Sequence, residues 1–109
     1  MPPKRYEIYF ADLNPALGSE LQKTRPVVIV SQYAMNRFLE TVVVCPLTSR
    51  LHPQWRSRLQ IRSTDKPSEI AVDQIRTISK KRLRSCIAKL SDAEAAELRR
   101  IIIEMYGEP

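Results

Sequence analysis

The chain has 109 residues, 43% of them hydrophobic, with 18 Lys and Arg against 12 Asp and Glu and a net charge of +6. This length fits one domain over residues 1–109, which buries roughly two-thirds of its unfolded surface around one modest core. No apolar run approaches the ~20 residues of a membrane span and no secretory leader pattern precedes the first strand, so a cytoplasmic protein with no membrane contact is expected, and the positive charge favours an anionic partner.

The elements read mostly as strand. Residues 7–13 alternate well enough for a first strand, and Asn14-Pro15 is a turn signal. Gly18 then opens a charged loop, where a glycine serves a tight bend. Residues 26–31 and 41–47 are dense β-branched runs, too short and Val-rich for helices. Between them, residues 31–39 suit a short helical turn capped by Ser31. Leu59 and Ile61 alternate with polar residues as a half-exposed strand does. Residues 70–78 read as one further strand and residues 86–90 as the last. Ser79-Lys80-Lys81-Arg82-Leu83 reads as a single helical or 3-10 turn.

The C-terminal segment is a helix. Ser91 is a natural N-cap and Glu94, three residues on, completes a capping box. Leu98, Ile101, Ile102 and Met105 form an apolar stripe that docks on the protein's own sheet, and Gly107 terminates the helix. Ile103 lies off that stripe with Tyr106 between them in angle, so apolar surface extends around the side past Arg99, and a two-fold homodimer using this flank is expected. Short strands plus this helix give a mainly β fold, a small bent sheet or barrel closed by a helix.

Cys45 and Cys86 each sit in an apolar run with no ligand spacing, and the expectation is two reduced, buried thiols. His52 is the only histidine. No ligand set for a metal is visible, so neither a metal nor a cofactor is expected. Arg25 stands at the mouth of the second strand before Pro26, which pushes it toward extended backbone. A cation held there can bind and strain a phosphate; a salt bridge to Glu20 is the structural alternative. Thr48, at the end of the third strand, offers a hydroxyl for positioning and hydrogen bonding. Trp55, with Arg56 and Arg58 beside it, is placed to stack on a splayed base and hold phosphates, or else folds back on the barrel edge. Five of the nine residues from Arg76 to Arg84 are basic and none is acidic, which reads either as a solvated turn or as an anion-attracting cluster.

Several segments stand in a definite order along the chain: EIYFADLNP (7–15), Gly18-Ser19-Glu20, Lys23-Thr24-Arg25-Pro26 with VVIVS, Asn36-Arg37, Val44-Cys45-Pro46-Leu47-Thr48-Ser49, and Asp73-Gln74-Ile75-Arg76-Thr77-Ile78. Together they resemble the MazF/PemK/Kid family of toxin endoribonucleases. The resemblance implies an SH3-like small barrel of the CcdB/PemK type with a C-terminal α-helix. It implies a homodimeric, metal-independent toxin that cleaves single-stranded RNA, in the cell mRNA, at a short sequence and so arrests translation and growth. It also implies an acidic, MazE-like antitoxin as partner. By position, Arg25 and Thr48 resemble the family's catalytic pair, with Glu20 as the nearest candidate base. Ser19, Lys23, Ser49, Asp73, Gln74 and Arg76 fall on motifs that contact RNA, Asp73 and Gln74 on a strand. A non-catalytic nucleic-acid binder or a gyrase-targeting toxin on the same fold is the alternative. Tyr6 stands where the family usually has glycine, so positive φ is expected to be avoided there. Ser19 and Ala71 replace a histidine and an arginine of some members, and no step depending on those groups carries over. His52 lies outside every motif and is not expected to be catalytic.

Overall fold

In a computed structural model, residues 1–13 and 24–108 are described. The expectations for Gly18, Ser19, Glu20 and Lys23 fall outside them.

Among the described residues, seven strands build one antiparallel sheet: β1 (Glu7–Asp12), β2 (Thr24–Ile29), β3 (Thr41–Thr48), β4 (Arg58–Ile61), β5 (Ser68–Ala71), β6 (Arg76–Ser79) and β7 (Leu83–Lys89). The path runs β4-β5-β3-β2-β1-β7, and β6 also pairs with β3. β3 is the hub. One of its edges takes β2, with Val27 opposite Pro46 and Ile29 opposite Val44. Its other edge is divided: the first half pairs with β6, from Thr41 opposite Ser79 to Val44 opposite Arg76, and the last two residues pair with β5, Thr48 lying opposite Glu69. The sheet bends into a barrel-like wrap that does not close.

The period of two along the strands distributes side chains to two cores. Val28, Cys45 and Leu47 point to the first core, where helix α2 (Asp92–Tyr106) lays Leu98 and Ile101. Val27, Ile29, Val42 and Val44 point to the second, closed by Ile78 on β6 and edged by Leu83. A side chain as fully buried as Leu98 is worth about 1.5–3 kcal/mol over its exposed state.

The capping box forms as the sequence dictates. Ser91 Oγ accepts from the Glu94 N–H at 3.1 Å and Glu94 accepts from the Ser91 N–H at 3.0 Å. The same carboxylate accepts from the Arg62 N–H at 2.7 Å and from the Ser63 hydroxyl, tying the helix start to the bend after β4. Gly107 is the C-cap.

Four expectations are corrected. Residues 70–78 are not one strand: a 3-10 turn over Val72–Gln74 separates β5 from β6 and lets the chain pass from the lower to the upper half of β3. Ser31 does not cap the short helix α1 (Tyr33–Phe38), whose N-cap is Gln32. The Ser31 hydroxyl is spent on Asn36 Oδ1 at 2.7 Å and on the Val43 N–H at 3.0 Å, and Lys80 Nζ secures the other end of α1 by donating to the Asn36 and Leu39 carbonyls. Cys86 is exposed, because β7 ends the sheet and shows water most of its length, whereas Cys45 is buried. Tyr6 does adopt positive φ, 75°. It is held there by its N–H donating to the Ile29 carbonyl at 2.7 Å, by its carbonyl accepting from Leu90 at 3.0 Å, and by its hydroxyl accepting from Arg99 at 3.0 Å.

Candidate active site

Arg25 and Thr48 reach one cleft from neighbouring strands. Arg25 is the second residue of β2, and its Nη1 donates to the Leu47 carbonyl at 3.2 Å, which aims the fork across the end of β3. Burial lowers its pKa, but a guanidinium remains charged throughout. Thr48 closes β3. Its Oγ1 accepts from the Arg50 N–H at 3.1 Å, which fixes the hydroxyl and pins the first residues of the following loop. The cleft has a volume of about 310 Å³ and is lined by Arg25, Thr48, Ser49, Lys66 and Ser68, with Phe10 and Pro26 among its apolar residues. Two cations, three hydroxyls and an apolar wall are together the chemistry suited to an anion with a sugar or base attached. Lys66, between β4 and β5, was not singled out from sequence.

A second cluster lies beside it, built on a buried charge. Glu69, opposite Thr48 in register, is fully buried. Oε1 accepts from the His52 N–H at 2.6 Å and from Gln60 Nε2 at 2.5 Å, and Oε2 accepts from Arg58 Nη1 at 2.6 Å. Arg58 bridges onward, with Nε donating to Asp73 Oδ1 at 2.8 Å. Its guanidinium lies 4.8 Å from the centre of the Trp55 ring, and His52 stacks on the same indole at 3.9 Å with planes 8° apart. Burial would raise the Asp73 carboxyl, but the hydrogen bonds from Arg58 and Ser57 and the Arg58 charge outweigh it, holding the group below its ordinary value. Arg58 was expected to hold phosphates beside Trp55 and is instead committed to Glu69 and Asp73, whereas Glu69 was not singled out from sequence. The available signal was a carboxylate inside β5, all four residues of which are buried.

The remaining sequence candidates separate. Asp73 and Gln74 lie in the 3-10 turn and not on a strand, because the change of pairing partner along β3 needs a turn there. Arg76 opens β6 and is half-buried opposite Val44. Arg56 is exposed and ion-paired to Glu104 of α2. Trp55 is 49% exposed and already in contact with a ring and a guanidinium, neither alone in solvent nor folded into the core. In the basic run, Lys80 is spent on α1 carbonyls, and Arg82 Nη1 donates to the Asp12 carbonyl at 3.0 Å.

With this geometry in place, comparison with known proteins decides the family. The model of the PemK-like, MazF-like toxin of type II toxin–antitoxin systems matches residues 4–106. The chain belongs to that family. It is 36% identical over 104 residues to Endoribonuclease MazF of Staphylococcus saprophyticus, a match covering 91% of this chain and 87% of that protein. The fold is that of MazF from Deinococcus radiodurans, with a TM-score of 0.87, 20% identity and 99% of each chain covered. It also matches a mycobacterial endoribonuclease solved in complex with its cognate antitoxin, with a TM-score of 0.82 and 23% identity over 98% of this chain and 97% of that one. As a member of this toxin family, the chain carries the expected small barrel-like β fold with its C-terminal helix.

Proposed function

We propose that this family member is a metal-independent, sequence-specific endoribonuclease that cuts single-stranded RNA, chiefly mRNA, and thereby stops translation and growth in the cytoplasm. The observation that carries the reading is the meeting of Arg25 and Thr48 in one cleft with Ser49 and Lys66 at its edge. The 2′ oxygen of the target nucleotide attacks its own phosphate, the bond from phosphorus to the 5′ oxygen breaks, the leaving oxygen takes a proton from water, and the products are a 2′,3′-cyclic phosphate and a 5′-hydroxyl. Arg25 stabilises the charge gathering on the non-bridging phosphoryl oxygens, the role of a preorganised donor in a partly desolvated site. Thr48 positions the 2′ hydroxyl or a phosphoryl oxygen by hydrogen bonding. Glu20 is assigned the removal of the 2′ proton, and Ser19 and Lys23 the approach of the RNA. Asp73, Gln74, Arg76, Trp55 and Arg56 extend the contact beyond the cut.

The functional unit is proposed to be a two-fold dimer, supported by the 67% exposure of Ile103 on the flank of α2. An acidic antitoxin segment occludes the RNA site, in keeping with the net charge of +6 and with the antitoxin-bound mycobacterial relative. The deciding experiment is incubation with a long single-stranded RNA in EDTA and mapping of new ends. Cutting that leaves 5′-hydroxyl and 2′,3′-cyclic phosphate termini is expected. A requirement for added Mg²⁺, or 5′-phosphate products, overturns the mechanism.

A further inference from the structure

We infer that the Glu69–Arg58 pair is a positioning device that turns His52, Trp55 and Asp73 into a subsite reading one unpaired base, and that the base it favours carries an exocyclic amino group, as cytosine does and uracil does not. This rests on the RNA reading above and adds to it the residues and ligand chemistry of one position next to the cut.

The geometry is that of a preassembled reader. A base-reading carboxylate must stay ionised and hold a fixed direction. Asp73 is held by Arg58 Nε at 2.8 Å and by Ser57, while its side chain remains 33% exposed. Arg58 cannot swing away. Its side chain is only 6% exposed, its Nη1 is bound to the fully buried Glu69, and the Trp55 ring lies against it. Glu69 in turn fixes the loop, since it accepts the His52 N–H at 2.6 Å and His52 stacks on Trp55. One buried carboxylate thus sets both the aromatic platform and the acceptor beside it. Unpaired bases are recognised by that combination of stacking and hydrogen bonding at the Watson–Crick edge. A carboxylate accepts from an amino group such as cytosine N4, whereas uracil presents a carbonyl there and is repelled. The subsite is also close to the cleft: His52 follows Thr48 by four positions, a span of at most about 14 Å.

The test is binding, independent of cutting. Short 2′-O-methyl oligonucleotides of one length, all-cytosine and all-uracil, lack the attacking hydroxyl and report affinity by fluorescence anisotropy. The native protein is expected to favour cytosine over uracil roughly tenfold. Asp73→Asn should bring that ratio close to one. Glu69→Gln keeps the shape of the buried group but releases Arg58, and should move the ratio at least halfway to one. If melting shows that Glu69→Gln does not fold, Arg58→Lys takes its place, keeping the charge without the bridge. A merely structural role lowers both affinities together and leaves the ratio alone. A ratio near one in the native protein, or an unchanged ratio in Asp73→Asn or in the folded positioning variant, overturns the inference. Cutting of unmodified RNA is followed separately: a protein that prefers cytosine yet never cuts retires the nuclease reading and keeps this one, and a protein that cuts with no base ratio does the reverse.

Discussion

At residue 6 the usual ranking of alanine over glycine is expected to invert. Tyr6 sits at φ 75°, where an L side chain costs about 1–2 kcal/mol relative to glycine. Its ring offsets that by packing beside the first core, by the hydroxyl contact with Arg99 and by guanidinium contacts from Arg5 and Arg99 at 5.9 and 5.6 Å. Tyr6→Ala loses the ring and keeps the strain, for a loss of about 2 kcal/mol: roughly half the worth of a fully buried side chain plus about 1 kcal/mol for the hydrogen bond. Tyr6→Gly loses the same ring but relieves the strain. Against that relief stands the extra unfolded-state freedom of glycine, about 0.5–1 kcal/mol. The balance leaves Tyr6→Gly more stable than Tyr6→Ala by about 0.5–1 kcal/mol, or several degrees in Tm for a domain of this size. Urea unfolding of both variants at one protein concentration, with equal m values, measures the difference. A Tyr6→Ala protein as stable as Tyr6→Gly would show that the left-handed backbone is not what residue 6 must tolerate.

Arg25→Ala and Thr48→Ala should each lower RNA turnover at least about a hundredfold, the scale of losing one transition-state donor, while His52→Ala loses far less; equal collapse of all three would make the histidine catalytic. Because the folded-state pKa of Asp73 is depressed, its contribution to stability is present above the unfolded carboxyl value and is lost as pH falls through the folded one. Melting curves from pH 6 to pH 2 should therefore decline less steeply for Asp73→Asn than for the native chain, and parallel curves would refute the assignment. Sedimentation of the native chain at micromolar concentration should show a dimer that Ile103→Lys weakens; a native monomer rejects the dimer, and an equally tight variant removes Ile103 from its interface.

What the sequence disclosed was mostly local. The α2 cap is written in Ser91 and Glu94, three residues apart, and both hydrogen bonds form. The Val-rich runs declare β2 and β3 because nothing but a buried strand accommodates them. The break at Val72–Gln74 was hidden, since the chain on either side is equally apolar and the reason for the turn lies in β3, which has two partners along one edge. Tyr6 was misjudged for a related reason. Its conformation is imposed by Ile29 and Leu90, far from it in sequence, and glycine alone suggests positive φ from the residue itself. Arg25 and Thr48 became paired through resemblance, and the shared edge of β2 and β3 supplies the physical cause. Glu69 stayed invisible, and Arg58 was read only as a phosphate holder beside Trp55, because each is an ordinary strand residue until β4 and β5 are laid side by side. Ser19, Glu20 and Lys23 lie outside the described residues.

The carboxylate of Glu94 has a consequence for how the molecule opens. It serves Ser91 at the head of α2 and, 32 residues back, the Arg62 amide and the Ser63 hydroxyl. Lifting the helix start strips the bend after β4 of its acceptor, and unravelling that bend strips the helix of part of its cap. The two segments therefore share one breathing motion. Their amide protons belong to a single exchange cluster, and a protease probing residues 62–63 meets a cleavable chain only when the first turn of α2 has also let go.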